Sequence, residues 1–366
     1  MSFEKGTFAF SIFRLSKKLP ENVLERFSER KAKKLDSLKE EEEIGWVSGR
    51  HLLERRIEED TAIFGGAYYL HLRTAQRKIP TALLNAECRM AELNYMQENG
   101  TDFVPSKTRK EIKENITALR IGSMPPQISG IPLIIDRNTE ILYLGTASTK
   151  AIDTFMTCFS ETFPTIEVMQ ITLEDLMLRN FHEPLEALPN INFSEKSKSN
   201  CIEPTWDFLT WLWYYSETEE GRLKVKDVGD FRCGIDGPIT LAFVDDETGG
   251  AGETTLKKGV PQVSAEAKIA LEVGKKLKKA KIVILEKGNI WSGTMDANKF
   301  TFSGFDIPDG EEMDPYGKFE ERVNNLDIFR LAIEGYFKLF ATTFLGDNAE
   351  EEIKKIQKWC AEKETV

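Results

Sequence analysis

Apolar and polar positions alternate over residues 7–15, where Phe8, Phe10, Ile12 and Leu15 have Thr7, Ala9 and Ser11 between them. That period of two predicts a strand with one buried face. Residues 20–39, rich in Lys and Glu, read as a helix, and residues 62–72 as a strand interrupted by a bulge or bend at Gly65 and Gly66 before the basic Arg73, Arg77 and Lys78. From residue 81 the period becomes helical: Leu83, Leu84, Ala86, Met90, Ala91, Leu93 and Tyr95 recur near that spacing, while Glu87, Arg89, Glu92 and Gln97 keep much of the circumference polar. Asn99, Gly100 and Pro105 mark a reversal, Ser106 can cap a second helix, and Lys107, Arg109, Lys110 and Lys113 crowd into its first turns. The expectation is a projecting helical hairpin with a positive tip. Two apolar runs, 131–136 and 141–145, then flank the polar Arg137, Asn138 and Thr139, which predicts a β-hairpin, and residues 149–163 read as a helix behind Ser148 and Thr149.

Residues 184–204 form a weakly patterned stretch of Pro, Asn, Ser and Lys, read as a linker. Beyond it, residues 205–215 hold three Trp, two Tyr, one Phe and two Leu. A base-stacking platform needs exposed rings with basic neighbours, whereas this stretch has Asp207 within it and Glu217 nearby, so it reads as a buried helix or strand of the core. Residues 222–244, 282–285 and 289–305 have strand patterns. Ser264 caps a predicted helix running to residue 281, with Ile269, Val273, Leu277 and Ala280 on one side and Lys268, Lys275, Lys278 and Lys279 as an ammonium ridge on the other. Finally, Phe319, Val323, Leu326, Ile333, Phe337, Phe340 and Phe344 describe one long amphipathic helix. Its aromatic stripe needs a partner surface: the chain's own core, or a second copy, for which Phe337, Phe340 and Phe344 are the candidate dimer contacts.

These elements predict an α+β protein. Residues 1–78 and 130–183 make an N-terminal sheet-and-helix domain with the hairpin, 79–129, inserted as a tip. Residues 205–346 make a second α+β domain after the linker, and 347–366 a charged tail.

At 366 residues, 41% hydrophobic and 30% charged, the chain has the composition of a folded protein with a substantial core. Its net charge of -11 is awkward for a polyanion binder, but nine Lys against three Glu over residues 254–288 give a local balance of +6 and leave -17 for the rest. Charge is therefore segregated along the chain. Cysteines 88, 158, 201, 233 and 360 show neither paired spacing nor a CxxC, so no disulfide framework or metal site is expected and no cofactor is implied. A cytoplasmic setting fits that usage, and no apolar run reaches the length of a membrane span. The carboxylates 40–43 read as a solvated helix end, and the acidic, glycine-rich 245–252 as a loop without the Lys-Ser/Thr ending of a phosphate-binding loop.

Several segments, in this order, resemble the RdgC family of bacterial recombination-associated proteins: Phe13-Arg14-Leu15-Ser16, Ile44-Gly45-Trp46-Val47, a basic stretch before Ile79-Pro80 and the helical hairpin, the strand ending Ile135-Asp136, and Phe208-Leu209-Thr210-Trp211-Leu212-Trp213. The resemblance spans residues 7–345. It implies a horseshoe-shaped subunit that pairs at both ends into a homodimeric ring, with a basic hole that encircles double-stranded DNA without reading sequence. It also implies a nucleoid-associated role in homologous recombination, limiting access of the recombinase RecA to DNA. Lys257 and Lys258 match a basic pair near one junction of the ring, although Gly259 stands where the family has a polar residue. Arg120 and Ile121, before Pro125, correspond to a basic and aromatic group of the tip, but no Phe stands there.

By this reading the DNA contacts are Lys257, Lys258, Lys268, Lys275, Lys278 and Lys279 with Lys107, Arg109, Lys110, Lys113 and Arg120 of the tip, and no residue is catalytic. Two rivals stand beside it. A metal-dependent exonuclease would need converging carboxylates, for which Asp236, Asp245, Asp246 and Glu286 with Lys287 are the candidates. A protein-interaction scaffold would use the hairpin and the Phe stripe and leave the lysines as solvated surface. His51, His71 and His182 are too scattered for a metal or a triad and read as surface or interface residues.

Overall fold

The computed structural model describes residues 3–38, 42–197, 201–244 and 251–365. Parts of the carboxylate run 40–43 and of the loop 245–252, with Asp245 and Asp246, lie outside them. In chain order the elements are β1 (Phe8–Leu15), α1 (Val23–Glu29), β2 (Glu43–Ser48), α2 (Glu59–Ala62), β3 (Ile63–Phe64), β4 (Ala67–Arg77), α3 (Thr81–Asn99), α4 (Ser106–Ile121), β5 (Pro126–Ile135), β6 (Ile141–Leu144), α5 (Thr149–Thr162), β7 (Val168–Gln170) and α6 (Leu173–Phe181). There follow α7 (Pro204–Thr218), β8 (Arg222–Val225), β9 (Gly229–Val244), β10 (Ala251–Leu256), α8 (Ala265–Glu272), β11 (Lys276–Glu286), β12 (Asn289–Asp296), β13 (Thr301–Asp306), α9 (Pro315–Leu345) and α10 (Ala349–Glu362). The protein is α+β, and no described helix is long and apolar enough to cross a membrane.

All strands join one sheet in the order β10-β9-β11-β12-β13-β1-β6-β5-β4-β2, with β3 on β4, β7 on β1 and β8 on β9. The two strand sets assigned by sequence to separate domains meet where β1 pairs with β13, Phe8 opposite Phe305 and Phe10 opposite Phe302. Because β1 is central, both its faces are buried rather than one. Phe8, Phe10 and Ile12 join the larger core, and Phe13 and Leu15 join a second core across the sheet. The second core lies beneath α1 and α5, where Phe27 meets Trp46 and Phe163, and Trp46 meets Phe155, edge to face, with Phe159 tilted against Phe155 and Phe163. The larger core holds α6, α7, α9 and α10, and α7 buries every residue from Trp206 to Tyr214 as the sequence pattern required.

Three local expectations are corrected. Helix 20–39 shortens to α1, because from Ala32 the backbone bonds β2 instead of itself: Ala32 N–H donates to the Trp46 carbonyl at 2.9 Å. The interruption at Gly65 and Gly66 is a hairpin turn between β3 and β4, with both glycines at positive φ, 50° and 75°. Helix 264–281 ends at Glu272. Gly274 takes φ 93°, and the chain from Lys276 becomes β11, paired with β9 and β12.

Candidate nucleic-acid interface

Splitting the 254–288 stretch among a turn, a short helix and a strand dissolves the predicted ammonium ridge. Lys257 and Lys258 are exposed in the turn after β10 and have no carboxylate partner among the described residues. On α8, the Lys268 ammonium donates to the Lys363 carbonyl at 2.8 Å. Lys275 donates to Thr254 Oγ1 at 2.6 Å and stands over the Phe243 ring. Lys276 is buried, 2.6 Å from the Asp207 carboxylate, and donates to Asn190 Oδ1 and the Cys201 carbonyl. Burial pushes the Asp207 carboxyl up, and Lys276 pulls it back. Lys278 pairs with Glu253 and Lys279 with Asp296, both at 2.9 Å, and Lys281 with Asp236 at 3.3 Å. Half of these eight lysines are thus compensated by a carboxylate, three of them from other strands of the sheet.

Strand register nevertheless puts two of them, Lys279 and Lys281, on one surface. Along β11 the residues Ala280, Ile282 and Ile284 are buried in the larger core, so Lys279, Lys281 and Val283 face the other way. Cross-strand neighbours put Asp236, Ser292, Thr294 and Asp296 on that same face, all partly exposed. At its border lies the start of α5, where Ser148 makes no side-chain cap. The Lys299 ammonium reaches Thr149 Oγ1 at 2.9 Å there, and Lys150 is exposed beside it. Uncapped amides beside two cations suit an anionic oxygen. Lys299 and Lys150 escaped the sequence reading because isolated lysines carry no pattern; the one available signal was the recognised helix start at 148–149.

The helices α3 and α4 pack on each other and have no buried residues. Of the expected basic tip, Arg109 bridges to Glu92 at 3.0 Å and Arg120 to Glu87 at 2.7 Å, so these two join the helices. Lys107 and Lys110 approach Glu111 and Glu114 one turn on, at 4.0 and 3.7 Å, and Lys113 has no carboxylate partner among the described residues. Apolar side chains remain in solvent here: Phe103 is 68% exposed, Met90 60% and Leu119 80%. The candidate dimer contacts of α9 are different. Phe337, Phe340 and Phe344 are buried in the chain's own core, with Phe208 and Trp211 rings about 5.4 Å from Phe340 or Phe337. They are not available to a second copy.

Of the nuclease candidates, Asp236 and Glu286 lie among the described residues and do not converge. Asp236 lies opposite Lys281, Glu286 is five positions further along β11 and pairs with Lys287 at 3.0 Å, and among the described residues no three His, Cys, Asp or Glu side chains come together as a metal site. His51 accepts a bond from the Leu53 N–H, His182 ends α6 in a left-handed conformation, and His71 is buried rather than surface-placed, bonded to the Ser48 carbonyl at 3.2 Å. Burial lowers the His71 pKa to about 4.

Residues 9–185 match the family model described as "Putative exonuclease, RdgC". The match takes in β1 to α6 with the helical hairpin, and the 254–288 lysines lie outside it. A search of curated proteins finds no match.

Proposed function

From the membership of residues 9–185 in the RdgC family, we propose that the chain is a duplex-DNA-binding protein without sequence preference, one that pairs with a second copy into a ring around DNA and limits RecA access during recombination. The family match carries the reading, and two features of the fold support it. First, the hairpin leaves the sheet between β4 and β5, near one end, while the Lys257–Lys258 turn follows β10 at the other end. Eight strand spacings separate β10 from β4, about 40 Å along the sheet at roughly 4.8 Å per strand. Contacts at both places would leave a wide gap between two copies. Second, the polar face of β11 and β12, with Lys279, Lys281, Lys299 and Lys150, lies along that span. Phosphates there would exchange for Asp296 and Asp236 as partners, so affinity per subunit is modest and a closed ring supplies the residence time.

The test is binding of unrelated random duplexes at two salt concentrations with Mg²⁺ present. Four phosphate contacts per subunit, eight in the closed pair, predict a loss on the order of ten-thousandfold between about 50 and 200 mM salt, equal for every sequence, with the DNA left intact. Salt-insensitive or absent binding would favour the interaction scaffold, and shortened strands the exonuclease.

A further inference from the structure

Glu217, near the end of α7, is the focus of a second polar site unrelated to the sheet face. Its Oε1 accepts from the Trp213 indole N–H at 2.7 Å and its Oε2 from the Trp359 indole N–H at 2.8 Å. The two indoles stand nearly perpendicular, 5.6 Å apart with an interplanar angle of 81°, and Tyr214 also packs edge to face with Trp359. Into the corner they form comes Lys363, the residue that ends α10. Its ammonium lies 4.6 Å from the Trp213 ring centre, 5.0 Å from that of Trp359, and 2.6 Å from both Glu217 oxygens. Only 3% of that side chain is exposed.

Two aromatic walls and a carboxylate floor are the chemistry that recognises an alkylammonium ion, because the ring faces attract a cation and tolerate its methyl or methylene groups. A structural ion pair needs no such enclosure. We propose that Trp213, Trp359 and Glu217 form an ammonium-binding cage which the chain fills with its own Lys363, and that a small alkylammonium ion takes the site when Lys363 leaves. Lys363 follows the last turn of α10, which stays anchored by the buried Ile356 and Cys360, and the chief additional tie is the Lys268 bond to the Lys363 carbonyl. The vacated corner would open into an adjoining groove of about 550 Å³ that Lys363, Trp359 and Glu217 already line together with Glu219, Glu362 and Glu364, and with Lys355 and Lys358 as its other cations. As a tethered ligand, Lys363 competes at a high effective concentration, so the cage in the intact chain is closed to weak ligands.

Titration of the full-length Lys363→Ala protein with tetramethylammonium chloride, against sodium chloride at equal ionic strength, tests this. The expected result is a saturable shift of the Trp213 and Trp359 indole N–H resonances at least tenfold tighter than in the wild type, lost again in Glu217→Gln/Lys363→Ala. No saturable shift beyond the sodium control, or one that survives the Glu217→Gln change, overturns the cage. Should Lys363→Ala fail to fold, wild-type hydrogen exchange decides. Amides 361–365 should exchange faster in molar-range tetramethylammonium than in sodium chloride, and equal rates refute displacement.

Discussion

Two residues, His71 and Lys276, show how far burial departs from what a residue type suggests. Lys276 reads as one more surface lysine in a basic run, yet it lies in the core against Asp207, because the chain between α6 and α7 folds back over the start of β11 and supplies Asn190 and the Cys201 carbonyl as further acceptors. His71 faces Tyr69 and Ser48 on a strand paired on both sides, and its ring is kept neutral by burial. Its folded pKa of about 4 lies below the ordinary 6.5. The unfolded chain therefore binds a proton first as pH falls, and the stabilisation present above pH 6.5 is lost progressively down to pH 4. A shift of that size corresponds to about 3 kcal/mol over the full window. Urea unfolding at about pH 7 and pH 4.5 should show the wild type losing roughly 2–3 kcal/mol that His71→Asn does not lose. Equal losses in the two proteins would mean that His71 protonates freely in the folded state.

At the scale of elements, legibility in the sequence followed locality. α5 and the 31-residue α9 repeat a single period against a single core, so their positions were readable from spacing, while the β5–β6 hairpin, which faces both cores, and α7, buried all round, were readable as apolar runs. Residues 264–281 were not, since Ile269, Val273, Leu277 and Ala280 fit a helical stripe, while irregular pairing with β9 between Leu277 and Lys279 hides the period of two that β11 follows. The partners of the site lysines were equally out of reach. Glu253 and Asp236 lie 25 and 45 residues from Lys278 and Lys281 and meet them only once the strands are ordered. The stripe of α9 was legible as apolar, but not its destination, which is Phe208 and Trp211 of α7. Phe337→Ala and Phe340→Ala should accordingly each cost about 3–5 kcal/mol of stability. The mass of the folded fraction, followed by light scattering, should not change. A fall in mass without loss of stability would return these rings to an interface.

Across the whole molecule, an acidic chain pairs Lys279 and Lys281 with carboxylates on one sheet face and exposes Met90, Phe103 and Leu119 on α3, α4 and the loop between them, inside the family-matched part. Self-association through that hairpin and DNA affinity through the sheet face are then separable. Leu119→Asp with Phe103→Asp alters exposed positions, so unfolding free energy should move by no more than about 0.5 kcal/mol. The ring should open nonetheless, and a pair then held at one junction only should dissociate on dilution, which sedimentation would record as a lower mass at concentrations where the wild type stays paired. Ring closure has a signature that local affinity lacks: a closed subunit pair is retained on circular duplex when salt is raised and slides from a linear fragment with free ends. The double variant should leave both DNA forms at one rate, that of the wild type on linear DNA. If the wild type itself does not distinguish circular from linear duplex, the hairpin serves some contact other than closure, and the lysine face alone accounts for binding.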